Sequence, residues 1–397
     1  MYCPSAQEFT EFAREHDFVP VYRRLLSETL TPVTAFRLLD DGGPACLFES
    51  VIGGEKVGRY SFLAASPAGR FSAKGEDITI TNRGDGSVRQ QTAKDPLDAF
   101  REHFHYRVAQ IDGLPPFVGG AIGYAGYDVV RYVEHLPDAP TDDRDLPDLD
   151  FSFYHTLCVF DHVGKTITVV SLADCRSAET AEQTRAAYQS AQQEVDDTIA
   201  RLSRSSDDVA ETLTPDEWNP EQWSAQNGKP LQVESNFTRE SFHQAVRDCV
   251  EYIRAGDIFQ VVPSQRLSVK TEADAMEIYR SLRVVNPSPF MFYVRTPDCE
   301  LVGCSPEIMC RVADRVVTVR PLAGTRRRGK SEKEDKALEK ELLADPKECA
   351  EHVMLVDLGR NDVGRVAKFG TVELTEVMIV ERYSHVMHIS SEVQGTL

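Results

Sequence analysis

From about Thr31 to Phe160, apolar positions come in short runs cut by glycine and proline, as at Gly42-Gly43-Pro44 and Gly119-Gly120. This pattern predicts strands joined by turns, among them residues 33–39, the stretch ending at Phe48, 77–81 and 156–160. Between about 177 and 202 the composition turns to Ala, Gln and Glu with few strong breakers, which predicts one polar, solvent-facing helix. Residues 203–236 carry Ser205-Ser206, Pro215, Pro220, Gly228 and Pro230 and read as a linker. Thr238 is a good N-cap; Phe242, Val246, Cys249 and Ile253 then recur at helical spacing, and Gly256 supplies a stop. The apolar, β-branched stretch 258–269 predicts a strand despite Pro263, followed by a helix over 273–282. Strands are expected at 290–295, 300–303, 308–312 and 316–320, and the charged run 326–336 reads as an exposed loop entering a helix. Asp345 and Pro346 cap a further helix to about residue 358, and apolar residues resume over 372–389. No internal repeat interrupts this order, so the fold class is α+β, with antiparallel sheets and helices packed on them.

Composition refines the picture. The 397 residues are 41% hydrophobic and 27% charged, ordinary for a globular chain of two to three domains or one large two-lobed unit. A net charge of -19 repels nucleic acid and anionic lipid, so neither is an expected partner. An anionic substrate would need a local cation or oriented backbone N–H groups to overturn that field. The nine cysteines form no CxxC pair, which speaks against a zinc site or a disulfide scaffold and fits reduced thiols in a cytoplasm. The first twenty residues lack a basic start followed by an apolar run, and no stretch reaches the length of a membrane span.

Three constellations can carry chemistry. On the helix after Asp345, Glu348 and Glu351 lie three apart on one face, with His352 one turn from Glu348, among heavily apolar neighbours. Two buried carboxylates need compensation, and a divalent cation such as Mg²⁺ provides it; a surface Glu pair on an amphipathic helix satisfies the same spacing. In Gly303-Cys304-Ser305-Pro306-Glu307 a turn sets one acid at the entry to a strand, where it can serve as a general acid or be an ordinary turn residue. In Arg320-Pro321-Leu322-Ala323-Gly324-Thr325-Arg326, Gly324 permits close backbone approach, so its N–H groups and the Thr325 hydroxyl can hold a carboxylate; a strand-ending turn with a basic loop fits equally.

Taken in order, these segments resemble the chorismate-utilising enzyme family of anthranilate, aminodeoxychorismate, isochorismate and salicylate synthases. The resemblance runs through GDIFQVVPSQR (256–266), NPSPFMFYV (286–294), GCSPE (303–307), RPLAGTRRRG (320–329), DPKECAEHVMLVDLGRNDVGRV (345–366) and VERYSHVMHISSEVQGTL (380–397). Nearer the start, LFESVIGGEKVGRYSF (47–62) and GGAIGYAGYD (119–128) extend it. It implies a two-lobed fold of mainly antiparallel sheets flanked by helices: an N-terminal lobe over 15–170, a polar helix and linker over 171–236, and a chorismate-binding domain over 237–397. Members that add water to chorismate carry a lysine where this chain has Gln260, and members that aminate at the para position carry a lysine where it has Ala323. Both positions imply ortho-amination to anthranilate, with ammonia delivered by a partner glutamine amidotransferase.

By that resemblance, Glu351 ligates Mg²⁺ with Glu348 beside it, Gly324 and Thr325 contact the substrate carboxylate, Glu307 is the general acid and His388 stands near the ring. His385 is the nearby alternative to His388, and either can be a satisfied core residue. Glu49 and Ser50, with Asn286, Pro287 and Met291, resemble the family's feedback site for tryptophan, although Phe48 stands where the family carries leucine. Members of the family continue past Leu397 with a further substrate-binding segment and a second metal-binding glutamate. The expectation is therefore a chain cut short at its C-terminal end and catalytically silent as it stands. The competing expectations are an aminodeoxychorismate synthase and a non-catalytic tryptophan-binding remnant.

Overall fold

Strands, some buried on both faces and others on one, build three antiparallel sheets in the larger part of this computed structural model, which describes residues 1–50, 58–204, 232–383 and 385–397. Among those residues the first sheet has β1 (Phe18–Leu26), β2 (Ala45–Glu49), β3 (Tyr60–Ala65), β9 (Thr156–Asp161), β10 (Thr166–Asp174), β13 (Phe290–Arg295) and β14 (Glu300–Ser305). Its order is β1-β10-β9-β3-β2-β13-β14. The second sheet, in the order β6-β5-β4-β8-β7, holds β4 (Gly69–Lys74), β5 (Asp77–Asn82), β6 (Val88–Thr92), β7 (Gly120–Ala125) and β8 (Leu149–Tyr154). The third has β15 (Arg311–Ala313), β16 (Val316–Val319), β17 (Leu322–Arg327), β18 (Glu373–Arg382) and β19 (Val386–Thr396), in the order β15-β16-β19-β17, with β18 also on β19.

These sheets belong to one compact unit, Met1–Ala210 with Tyr279–Leu397. The second unit, Glu211–Ile278, holds the short pair β11 (Val233–Ser235) and β12 (Leu267–Val269) and the helix Arg239–Ala255. That helix begins at the Thr238 cap and ends on Gly256 at φ +83°, a left-handed position that glycine adopts without strain. The α+β class with antiparallel sheets stands as expected.

β13 and β14 lie C-terminal to the expected linker, yet they complete the first sheet by pairing β13 with β2, Met291 opposite Glu49. Most of that linker, 205–231, lies outside the described residues, as do 51–57 of the 47–62 motif.

Several elements differ from the sequence reading. Residues 33–39 form a helix, Pro32–Leu39, rather than a strand: the Thr31 hydroxyl accepts the Thr34 N–H, Pro32 suits the first turn, and Val33, Ala35, Phe36 and Leu39 are buried on one side. The helix Ala181–Leu202 is present, but Tyr188, Ala191, Val195 and Leu202 are buried, so only its other faces meet solvent. Of the strand expected over 258–269 only Leu267–Val269 forms; Pro263 has no N–H to give a ladder. The strand at 308–312 shortens to Arg311–Ala313, and Arg326 and Arg327 end β17 instead of opening a loop. The helix after Asp345 runs on to Gly364. It is not buried around its circumference: His352, Gly359 and Val363 are buried, whereas Val353 and Leu358 face solvent, because one side alone packs on the third sheet.

Candidate active site and effector site

One strand, β17, collects side chains from four distant segments. At its start the Leu322 N–H donates to Glu307 Oε1 at 3.2 Å, holding the carboxylate of the 303–307 turn against the sheet. Ser305 Oγ braces that turn by accepting the Glu307 N–H at 3.2 Å. In mid-strand the register with β19 shifts between Ala323 and Thr325, so Gly324 is the extra residue of a bulge at φ +73°. A Cβ there would come within 3.0 Å of Ile389 Cδ1 and 3.4 Å of Glu348 Cβ, so glycine suits both the backbone and the space. Beyond the bulge, Thr325 pairs with His388: its Oγ1 lies 3.0 Å from His388 Nδ1, which is also 3.3 Å from the Gly324 carbonyl. The Thr325 N–H donates to Glu348 Oε2 at 3.1 Å.

Helix Pro346–Gly364 presents the carboxylates. Asp345 caps it by accepting from the N–H groups of Lys347 and Glu348. The helix is fastened to β19 by buried His352, whose Nε2 is 2.7 Å from Ser391 Oγ. Burial lowers the pKa of His352, and its Nδ1 has no hydrogen-bond partner among the described residues. Arg326 bridges three acids, donating to Glu341 at 2.9 Å and Asp345 at 2.7 Å and lying 3.4 Å from Glu348 Oε1. Glu348 is thus half-buried and already engaged, whereas Glu351, one turn on, is exposed, with no hydrogen bond or ion pair among the described residues. Tyr383 closes the side next to His388, with ring centroids 5.7 Å apart. Its hydroxyl donates to Glu381 at 2.5 Å; burial first, and this bond second, push the Tyr383 pKa up.

Among the described residues no group of three His, Cys, Asp or Glu side chains is placed to hold a metal ion. The two carboxylates on one helix face are hard oxygen donors, and such a pair suits Mg²⁺ only when water or substrate oxygens complete the shell. Gln260, expected near this chemistry, is exposed in the second unit. His385 lies in the turn before β19.

The residues expected to bind tryptophan cluster at the ends of β2, β13 and β14. Glu49 and Met291 are cross-strand partners, and Met291 faces Cys304 on its other side. Asn286 Nδ2 donates to Cys304 Sγ at 3.2 Å; Pro287 follows it, and Ser50 follows Glu49. Glu49 is buried, its carboxylate accepting the Tyr279 hydroxyl at 2.7 Å and Arg283 Nη2 at 3.0 Å. Sequence reading missed Tyr279, Arg283 and Arg326. The first two sit at i and i+4 of one helix, a spacing that could have marked them as a pair on one face.

The family model for chorismate binding enzymes matches residues 43–397. The chain is 46% identical over 394 residues to the anthranilate synthase alpha subunit 1, chloroplastic, of Oryza sativa subsp. indica, covering 96% of this chain and 67% of that protein. With anthranilate synthase component 1 of Acetivibrio thermocellus it shares 39% over 398 residues, covering 100% and 78%. The crystal structure of anthranilate synthase component I from Streptococcus pneumoniae TIGR4 superposes with a TM-score of 0.71 at 32% identity, covering 94% of this chain and 76% of that one. The menaquinone-specific isochorismate synthase MenF of Escherichia coli, at 13% identity and a TM-score of 0.56 over 99% of this chain and 75% of its own, shares the fold alone. The chain belongs to the chorismate-binding enzyme family, on its anthranilate synthase component I branch.

Proposed function

We infer that this chain carries the chorismate-converting chemistry of an anthranilate synthase, a lyase step of tryptophan biosynthesis: chorismate and ammonia give anthranilate, pyruvate and water. The carrying observation is the convergence on β17 of Glu307, Glu348 and His388 beside the Gly324 bulge. In this reading Glu307 protonates the departing C4 hydroxyl, which leaves as water while ammonia adds at C2. The Gly324 carbonyl only accepts, so its contact with His388 requires Nδ1–H and leaves Nε2 as the basic nitrogen beside the ring. Loss of a ring proton and of the enolpyruvyl group, as pyruvate, then aromatises the product. The Thr325 hydroxyl and the backbone opened by Gly324 orient the substrate carboxylate. Glu351, and Glu348 next to it, would hold Mg²⁺, which when bound supplies positive charge for that carboxylate. Gln260 has no basic lone pair to deprotonate water, which supports amination over hydration.

A glutamine amidotransferase as the ammonia source, and tryptophan as an inhibitor bound around Glu49, Ser50, Asn286, Pro287 and Met291, complete the reading. Among the described residues no helix is long and apolar enough to cross a membrane. The nine free thiols support a reducing, cytoplasmic setting. The test is the product: a form of the chain completed with the C-terminal segment that the resemblance implies is expected to give anthranilate fluorescence with chorismate, Mg²⁺ and ammonium salts. Isochorismate, salicylate or aminodeoxychorismate as product would overturn the assignment.

A further inference from the structure

The Glu49 carboxylate already has an internal cation. Its side chain is 3% exposed, and Arg283 reaches it with Nε 2.8 Å from Oε2 and Nη2 3.0 Å from Oε1. The fully buried Tyr279 hydroxyl donates to Oε2 at 2.7 Å. A carboxylate offers about four acceptor sites, and this one already accepts from Tyr279 and Arg283 Nη2 with Arg283 Nε in close ion contact. Any ligand ammonium arriving here meets a neutralised ion pair, not a bare anion. The two partners differ in freedom. The Arg283 side chain is 31% exposed and can release its guanidinium to water, whereas Glu49 cannot leave the sheet. Arg283 also sits on the helix Ala275–Val285, just ahead of Asn286 and Pro287.

We propose that Arg283 is a built-in occupant of the effector site, a guanidinium that an effector's ammonium group must displace from Glu49, and that it thereby sets how weakly the site holds its effector. This rests on the reading of the Glu49 cluster as a tryptophan site. Removing the guanidinium leaves a buried carboxylate short of a cation, a deficit that the ligand's own ammonium makes good. The gain belongs to the amino group alone; the indole ring gains nothing.

The experiment titrates the full chain calorimetrically at pH 8 with L-tryptophan and with indole-3-propionate, which lacks the amino group. Arg283→Met should bind tryptophan about tenfold or more tighter than the native protein, with indole-3-propionate little changed. Arg283→Lys, which keeps a cation, should stay near native. Arg283→Gln should behave as Arg283→Met and retains an N–H donor for Glu49, so it serves if the methionine variant does not fold. Tryptophan binding that is unchanged or weaker in the uncharged variants overturns the proposal, as does an equal shift for both ligands, which marks a purely structural role. Ser50→Phe separates the two levels. If the native protein does not bind tryptophan, or if Ser50→Phe binds it as tightly as native, the effector reading itself falls. Loss of binding in Ser50→Phe without a rise in the Arg283 variants removes only the role of Arg283.

Discussion

Two acidic regions of the same unit are built on opposite terms. Around Glu49 the carboxylate lies inside a sheet, with a tyrosine and an arginine already on its oxygens. On helix Pro346–Gly364 the carboxylates lie nearer the surface: half-buried Glu348 is engaged by Arg326 and the Thr325 N–H, and exposed Glu351 has no partner among the described residues. A buried acid with internal donors is set by the fold, little screened by salt, and open to a ligand only by exchange. An exposed acid contributes little to stability and is free to take a cation or a substrate-bound metal by giving up water. Within one chain, then, an acid fixed by the fold and acids left near solvent are told apart by what occupies their oxygens.

The sharpest way to break the comparison is to delete one acid of each kind. Glu49→Ala strands the Tyr279 hydroxyl in the core and Arg283 without its anion, and should cost about 3 kcal/mol of stability. Glu351→Ala should cost at most about 0.5 kcal/mol. Urea unfolding of both variants decides it; equal losses would mean that burial does not divide the two regions. Catalysis should divide them the other way. Glu307→Gln can still accept from the Leu322 N–H but cannot give up a proton, so kcat of the completed enzyme should fall about 10²-fold while chorismate binding persists. A near-native kcat removes Glu307 from the chemistry.

The helix itself offers a finer cut. Glu351→Gln should raise the Mg²⁺ concentration for half-maximal activity by about tenfold or more, and Glu348→Gln by less, because Arg326 already neutralises part of Glu348. Titrating Mg²⁺ at saturating chorismate in the completed enzyme tests the order. A larger shift for Glu348→Gln would reverse the assignment of direct ligand.

Local chemistry was legible in the sequence, and long-range pairing was not. The 303–307 turn, the Gly324 position and the Asp345-capped helix each depend on neighbours within a few residues, so a motif could name them. What joins them is β17, and its partners lie far along the chain: Thr325 meets Glu348 23 residues away and His388 63 away. The gap is widest at Glu49, whose Arg283 partner is 234 residues distant. Where the local reading failed, it weighed hydrophobicity over punctuation. Residues 33–39 look like a strand until Thr31 and Pro32 are read as a cap, and 258–269 looks like one until Pro263 is allowed its missing N–H.

The smallest expected effect concerns how the helix carrying Glu348 and Glu351 is held. His352 is fully buried with Nε2 2.7 Å from Ser391 Oγ, which also accepts the Met378 N–H. Burial lowers its pKa, so the unfolded chain takes up the proton at higher pH than the folded one. Stability from this group is therefore complete above the unfolded value of about 6.5, falls as pH drops through it, and levels off once the folded pKa is passed. His103, His155 and His162 are lowered by burial too and add slope of the same sign, so the native protein alone cannot assign the effect. The measurement is the difference in urea midpoint between pH 7.5 and 5.5 for native protein and His352→Gln. The variant should be less stable at pH 7.5 and lose less on acidification. An unchanged pH difference would mean that His352 does not titrate with unfolding, and that the Ser391 contact is not what fastens the Glu348–Glu351 face to β19.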